Sequence, residues 1–411
     1  MGQDPRPTAL YLSPFVPDVS GGGAVMRAAQ HLRMLSQSHD VYLVVAAYPV
    51  PMNAHRLDDR LAALCAFQHR LPWPFANTPR AVQALPAPAN WVREVLKPSH
   101  NPPMQPVLDG ICDALPIDRF DLLFCFRRTT GRLAMSLLDQ GRVSASCRIL
   151  DLDDLDDLAM RREADLNRRR LGIESYRIHR LQAWRVASEM RYLAQRFDIS
   201  LVCSHQDRTL LHRRVPRAQL GVLPNTVAGP DRLDHEGIPG RLLLVGSMSY
   251  APNADGARWF CEAVVPHLKA TEATVSLSIV GRGPPSDILA MDGRDGVRVY
   301  PDVPSVQPYY ADAQISIVPI RYGGGTRIKI LESLAYGRPV VSTTIGAEGL
   351  DLTPEHDILL ADTPEAFARQ IRRLVSDRGL WQRLRDNGLE TIRTSYSLDH
   401  AMREFRLMLA P

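Results

Sequence analysis

Two doubly wound α/β domains, each a parallel sheet covered by helices, are predicted for this 411-residue chain. Three observations carry that prediction. Apolar strand-like runs alternate with helix-like stretches through most of the sequence. The alternation restarts cleanly at Leu242, after a Gly- and Pro-bearing stretch at 226–240 that reads as an interdomain linker. The length suffices for two such domains.

The elements follow in order. Ala9–Ser13 is the first expected strand, followed by the loop Pro14–Gly23, a helix over Ala24–Gln37 and a strand at Val41–Ala46. Residues 50–116 hold nine prolines between Pro72 and Pro106, which suits a long excursion over the surface. Strands at Asp121–Phe126 and Cys147–Leu152 come next, then a long Arg-rich helical stretch over Asp156–Arg196. Strand Ile199–Ser204, a short helix and strand Gly221–Pro224 complete a first domain of residues 1–225. The second domain, 241–396, opens with strand Leu242–Gly246 and helix Asn253–Lys269. Strands at Val275–Val280, Val297–Tyr300, Ile315–Ile320, Pro339–Thr343 and Ile358–Leu360 follow. Helices at Pro364–Val375 and Gly379–Thr394 end it. The amphipathic segment 397–411 is expected to return to the first domain. Ligands of such sheets bind beyond the carboxyl ends of the strands, so two facing domains predict a cleft with a site on each wall.

The stretch Pro319–Leu350 carries the most chemistry. Gly323, Gly324 and Gly325 follow a strand, and a glycine run lets backbone N–H groups approach a ligand. Thr326 is a suitable N-cap for the next helix. Gly337 and Pro339 form a helix stop. The capping-box position favours Glu or Gln but holds Lys329, and Arg327 also falls in the first turn. Cations there oppose the helix dipole by about 0.3–1 kcal/mol each. A bound phosphate would reverse that penalty. Glu332, one turn on, can accept two hydrogen bonds from a vicinal diol such as a ribose. The plainer alternative is a Lys329–Glu332 surface pair beside a turn.

Composition excludes several classes. A net charge of +4 does not call for nucleic acid. The only lysines are Lys97, Lys269 and Lys329. Six scattered cysteines without a C-x-x-C pair read as buried free thiols in a reducing compartment. No signal-peptide pattern opens the chain and no apolar run approaches ~18 residues, so a cytoplasmic protein is expected. A peripheral contact with the inner face of the cell membrane stays open. No P-loop, no G-x-G-x-x-G after either first strand and no G-x-S-x-G occurs. His31, His39, His205 and His212 are not paired with any nucleophile by their spacing.

Two clusters each leave two readings. Asp151, Asp153, Asp154, Asp156 and Asp157 follow a strand. One of them, Asp154 being the candidate, could orient or deprotonate an acceptor hydroxyl. Otherwise they cap a helix and are solvated. No metal site is expected among them. From Ala159 to Arg196 ten arginines stand against four acids, with Tyr176, Trp184 and Tyr192 interspersed. That composition suits an anionic lipid surface. The more economical reading is a salt-bridged helix with its aromatics in the core.

The motifs LPNTV at Leu223, LLLVGSMSYAPNADGARWF at Leu242, SIVGRGP at Ser278, VRVYPDVPSVQPYY at Val297, the stretch at Pro319 and YLSPFVPDVSGGG at Tyr11 resemble GT-B glycosyltransferases. The resemblance is closest to glycosyltransferase family 4, the glycosyl transferases group 1 type, and is best over 220–396. It implies two Rossmann-like domains facing across a cleft. It also implies retaining transfer of a sugar from a nucleoside-diphosphate sugar to a glycan or lipid-linked acceptor, without metal or other cofactor. Polysaccharide biosynthesis is the setting it suggests. It implies that Glu332 holds the donor ribose and that Gly324, Gly325 and Thr326 approach the diphosphate and sugar. Arg327 and Lys329 would supply catalytic positive charge. Arg282, Val299 and Tyr300 would flank the base, Asn225 and Ser247 would complete the donor pocket, and Gly22 and Gly23 would approach the phosphates. Two departures stand out. Gly324 occupies the place of an acid that usually contacts the sugar. Ser247, Met248, Ser249 and Tyr250 occupy a loop where an Arg and a Lys are usual, which leaves Arg327 and Lys329 to replace them. A GT-B sugar-nucleotide epimerase and a non-catalytic nucleotide-binding subunit are the alternatives.

Overall fold

The computed structural model describes residues 5–19, 21–46, 57–71, 105–166, 168–227, 235–269 and 275–409. The main division between its two compact units falls after Val222.

In the first unit the order is β1 (Thr8–Ser13), α1 (Gly23–Leu35), β2 (Asp40–Ala46), α2 (Asp59–Ala62), β3 (Cys65–Leu71), α3 (Gln105–Ala114), β4 (Arg119–Phe126), α4 (Arg127–Asp139), β5 (Ser144–Asp153), α5 (Asp156–Leu166), α6 (Arg168–Ala194), β6 (Ile199–Val202), α7 (His205–Arg214) and β7 (Leu220–Val222). The described strands form one parallel sheet in the order β3-β2-β1-β4-β5-β6-β7. Leu10, Leu12, Leu123, Cys125 and Leu150 line its core with Leu133 and Met190 from the covering helices. Strand β3 corrects the reading of 50–116 as a surface excursion alone. Its side chains alternate between half-buried and exposed, as an edge strand's do, so no continuous apolar run marks it. The prolines from Pro72 to Pro103 lie outside the described residues. The long Arg-rich helix divides into α5 and α6, and α6 is itself kinked at Gly172 (φ 71°).

The second unit contains β8 (Arg241–Val245), α8 (Ala251–Trp259), a π-helical turn (Phe260–Val264), α9 (Val265–Lys269), β9 (Ser276–Gly281), α10 (Ser286–Leu289), β10 (Val297–Pro301), α11 (Gln307–Asp312), β11 (Ile315–Val318), α12 (Ile328–Ala335), β12 (Val340–Ser342), β13 (Leu359–Leu360), α13 (Pro364–Ser376), α14 (Arg378–Ser395) and α15 (Leu398–Leu409). Its parallel sheet runs β10-β9-β8-β11-β12-β13. Of the stretch read as a linker, 228–234 lie outside the described residues. Residues 235–240 dock on this unit, where the Ile238 N–H donates to the Asp312 carbonyl at 2.8 Å.

Both sheets change winding direction once. The reversal lies between β1 and β4 in the first unit and between β8 and β11 in the second. At such a switch point adjacent connections leave to opposite faces and open a crevice at the carboxyl edge. In the second unit two glycines permit tight packing there. A Cβ on Gly281 would lie 1.7 Å from the Gly246 carbonyl oxygen, so no larger residue fits without moving the loop after β8.

All six cysteines are free. Cys125 and Cys203 are buried, whereas Cys65, Cys112, Cys147 and Cys261 are partly exposed, which corrects the expectation for those four.

Candidate donor site and a buried ion network

The switch point of the second unit gathers most of the residues singled out from sequence. The loop after β11 runs through Gly323 (φ 119°) and Gly325 (φ 73°), backbone that side-chain-bearing residues rarely adopt. Helix α12 begins one residue later than expected: Arg327, not Thr326, holds the N-cap position. The Thr326 hydroxyl instead accepts a hydrogen bond from Asn225 Nδ2 at 2.6 Å. That bond ties the loop to the strand of chain entering the unit. Because Arg327 gives no side-chain cap, the first-turn N–H groups of α12 have no side-chain acceptor at that position. The buried Arg327 guanidinium turns back to donate through Nη1 to the Gly324 and Gly325 carbonyls. It braces the glycine loop from within. The other end of α12 closes as predicted, with Gly337 (φ 64°) donating to the Leu334 carbonyl and Arg338 N–H to that of Ser333.

Lys329 does what Arg327 does not. Its Nζ donates to Asn253 Oδ1 at 2.6 Å, and Asn253 Nδ2 donates to the Ser247 carbonyl at 2.8 Å. A Cβ on Gly246 would lie 2.6 Å from Nζ. The ammonium therefore reaches the end of β8, beside the loop Ser247–Tyr250 that carries no cation of its own. Burial pushes its pKa down to about 7, with Arg327 adding to the fall and Glu332 opposing it. Burial likewise pushes Glu332 up to about 7, against the pull of Lys329 and of the Tyr310 hydroxyl. Two ionisable groups one turn apart on α12 are thus each poorly solvated, and the charge of each is costly without a ligand.

The remaining predicted residues line the same carboxyl edge. Ser247 Oγ lies 2.7 Å from Ser249 Oγ, and the Met248 N–H donates to the Arg282 carbonyl at 2.8 Å. Arg282 itself is exposed. The Val299 N–H is taken by Asp292, whereas the Tyr300 ring packs at 4.7 Å from Tyr309. Asn253 and Tyr310 escaped the sequence reading. Both fall inside motifs quoted above without being singled out, and only the three-dimensional return of α8 and α11 to α12 reveals their roles.

In the first unit Gly22 and Gly23 open α1 at the carboxyl end of β1, again without a side-chain cap. Asp151, at the end of β5, is fully buried. Arg27 Nε and Nη2 donate to it at 2.9 and 3.1 Å, and His31 Nε2 lies 2.6 Å from Oδ2. Burial lowers the His31 pKa, with Asp151 opposing the fall. The Arg27 guanidinium, with His31 beside it, keeps the Asp151 carboxyl well below the usual carboxylate range in spite of its burial. Next to this network Arg127 (φ 71°) and Asp153 (φ 64°) both adopt left-handed backbone. Each such residue costs about 1–2 kcal/mol, and their 2.6 Å ion pair secures both. Asp154, 3.5 Å from the Arg127 guanidinium, is pushed up by burial and by Asp153. Ligand atoms of Asp153, Asp154 and Cys203 lie within 4.8 Å of one another, but Arg127 already bridges the two carboxylates and burial pushes the Cys203 thiol up.

Among the five acids, then, Asp151, Asp153 and Asp157 are buried and ion-paired, which corrects the expectation of solvated caps. His31 is correspondingly a core partner of Asp151. A signal was present. Arg27 and His31 are spaced i,i+4 on the apolar stripe of α1 with Ala28 and Leu32, where charge calls for a buried counter-ion. Arg27→Met leaves Asp151 without its main partner and should destabilise the protein by about 3–5 kcal/mol. Urea unfolding of the variant measures that loss.

Residues 239–377 match the family model for glycosyl transferases group 1. Over those residues the C-terminal unit is similar to glycosyl transferases group 1. The two-unit fold is that of GT-B glycosyltransferases. Sucrose-phosphate synthase from Thermosynechococcus elongatus superposes with a TM-score of 0.66 at 15% identity, covering 98% of each chain. HepE from Anabaena, in complex with UDP and glucose, gives 0.63 at 10% identity, covering 98% of this chain and 99% of that one. At these identities the likeness is one of fold. A 44.6 kDa protein in the cps region of Klebsiella pneumoniae is 24% identical over 140 residues, which span 32% of this chain and 36% of that relative.

Proposed function

We propose that the protein is a retaining glycosyltransferase, moving a sugar from a nucleoside-diphosphate sugar to a glycan or lipid-linked acceptor in polysaccharide assembly. The observation that carries this reading is Lys329 and Glu332 on α12, at the switch point of a unit similar to glycosyl transferases group 1. The diphosphate would meet the first turn of α12 and the Lys329 ammonium. Charge develops on the leaving diphosphate as the glycosidic bond breaks, and donors fixed in advance stabilise it without reorganising. Glu332 would accept from the ribose hydroxyls. Gly324 leaves the sugar subsite without its usual carboxylate, so this chain's donor sugar would be selected by other groups. The HepE complex with UDP and glucose supports a sugar nucleotide as donor, and the cps-region relative supports a role in surface polysaccharide. A lipid-linked acceptor would place the protein at a membrane surface.

Asp154 is the acceptor-side candidate, a carboxyl just past the end of β5 that could orient or deprotonate an acceptor hydroxyl. The test is transfer of labelled sugar from a panel of nucleoside-diphosphate sugars to glycan and lipid-diphosphate acceptors, with the product anomer read by NMR. Asp154→Asn is expected to lower kcat by roughly 100-fold while donor affinity is unchanged. Conversion of the donor with no acceptor present would indicate an epimerase. Donor binding with no turnover across the panel would indicate a non-catalytic subunit.

A further inference from the structure

We infer that the outer face of α6 is a docking surface for a bilayer rich in anionic lipid. The aromatics of this helix were expected in the core. Instead Trp184 is 48% exposed and Tyr192 51%, and Ile173 is 72% exposed. The helix buries its opposite side through Ala183, Val186, Ala187, Met190 and Leu193. Beyond the kink at Gly172, Ile173, Arg177, Arg180, Trp184 and Arg191 recur at spacings of four, three, four and seven. Those spacings place them on one face of a helix, and that face bears cations and large apolar groups together.

Arg177 and Arg191 form no ion pair among the described residues; Arg191 donates only to Ser188 Oγ, at 3.1 Å. Glu189, an acid of the same helix, points inward to Arg128 and Arg132. Glu174 stands a quarter-turn away from the arginine line. At the margin Arg196 lies over the Tyr192 ring, 5.7 Å from its centroid.

Basic residues with interspersed Trp and Ile match the boundary between lipid headgroups and acyl chains. Arginines meet phosphates there, the indole sits at the interface, and isoleucine enters the apolar layer. A nucleic acid would engage the arginines but would gain nothing from Ile173. No described helix is long and apolar enough to cross a membrane, so attachment through this face would be peripheral. The inference is independent of the donor site, because every residue it uses lies in the first unit.

The test is co-sedimentation of the full chain with two kinds of vesicle: phosphatidylcholine alone, and phosphatidylcholine with about 30% phosphatidylglycerol. Anionic vesicles should bind at least roughly tenfold better, and the preference should fade in high salt. Arg177→Glu with Arg191→Glu should reduce that binding by roughly 30-fold or more, with an unchanged melting temperature. Trp184→Ala should remove quenching of protein fluorescence by brominated acyl chains. Transfer to a soluble acceptor should be unaffected in both variants. Equal binding to both vesicle types, no binding to either, or unaltered binding by the charge-reversed variant would overturn the inference. Capture by heparin or RNA in place of the anionic vesicles would do so as well.

Discussion

Glu332→Gln should lower kcat/KM for the donor by roughly 100-fold while leaving the fold intact. The carboxylate can accept from both hydroxyls of a ribose, whereas the amide offers one acceptor oxygen and turns two N–H donors towards them. Hydrogen bonds to a charged group contribute about 1.5–3 kcal/mol, and the loss falls on donor binding and the transition state alike. KM should therefore rise. The unliganded variant should be no less stable than the parent, because the carboxyl is poorly solvated in the folded state. Its pKa of about 7 lies above the ordinary value of 4.5, so its ionisation opposes folding as pH rises from about 4.5 to 7. Steady-state kinetics and thermal melts of the same preparation separate the two effects. Unchanged KM, or a large fall in melting temperature, would show that Glu332 has another role.

Lys329→Met should do two opposite things. The unliganded protein should become more stable near neutral pH, by about 1–3 kcal/mol, because an apolar side chain replaces a poorly solvated ammonium. Transfer should fall by about 100- to 1,000-fold, because the charge facing the leaving diphosphate is gone. The sign of the pH effect follows from linkage. A folded-state pKa of about 7, against an ordinary 10.5, means that the unfolded chain binds the proton more tightly. Lys329 therefore costs stability fully below about pH 7, and that cost disappears as pH rises towards 10. The stability gain of the variant should shrink over the same window. Donor affinity in the parent should be bell-shaped around neutral pH. It should fall on the acid side as Glu332 is protonated and on the alkaline side as Lys329 loses its proton. Lys329→Met should lack the alkaline fall and Glu332→Gln the acid one.

Most of the strands and the glycine loop were legible because each rests on local pattern. Continuous apolar runs mark buried parallel strands, and Gly337 with Pro339 marks the end of α12. Lys329 and Glu332 were legible because a cation sits where an N-terminal turn prefers an acid. Strand β3 was not, since its half-buried alternation among prolines lacks the apolar run of a central strand. Neither was the division of labour between Arg327 and Lys329. Both cations are near the start of one helix, and only the fold shows Arg327 bonded to its own loop and Lys329 spanning to Asn253. The Arg27–Asp151–His31 network escaped for a different reason. Arg27 and Asp151 are 124 residues apart in the chain, and pairing across that distance is set by strand order rather than by spacing. The exposed aromatics of α6 were misassigned because helical periodicity fixes which residues share a face, not which face is covered.

Calorimetric titration of nucleoside diphosphates into the full-length protein tests the donor site most directly. One nucleoside diphosphate should bind with a 1:1 stoichiometry, with affinity weakened at least roughly tenfold in both Glu332→Gln and Lys329→Met. Binding by none of them, or equal affinity in the parent and both variants, would contradict the assignment of α12 and its glycine loop as the nucleotide site.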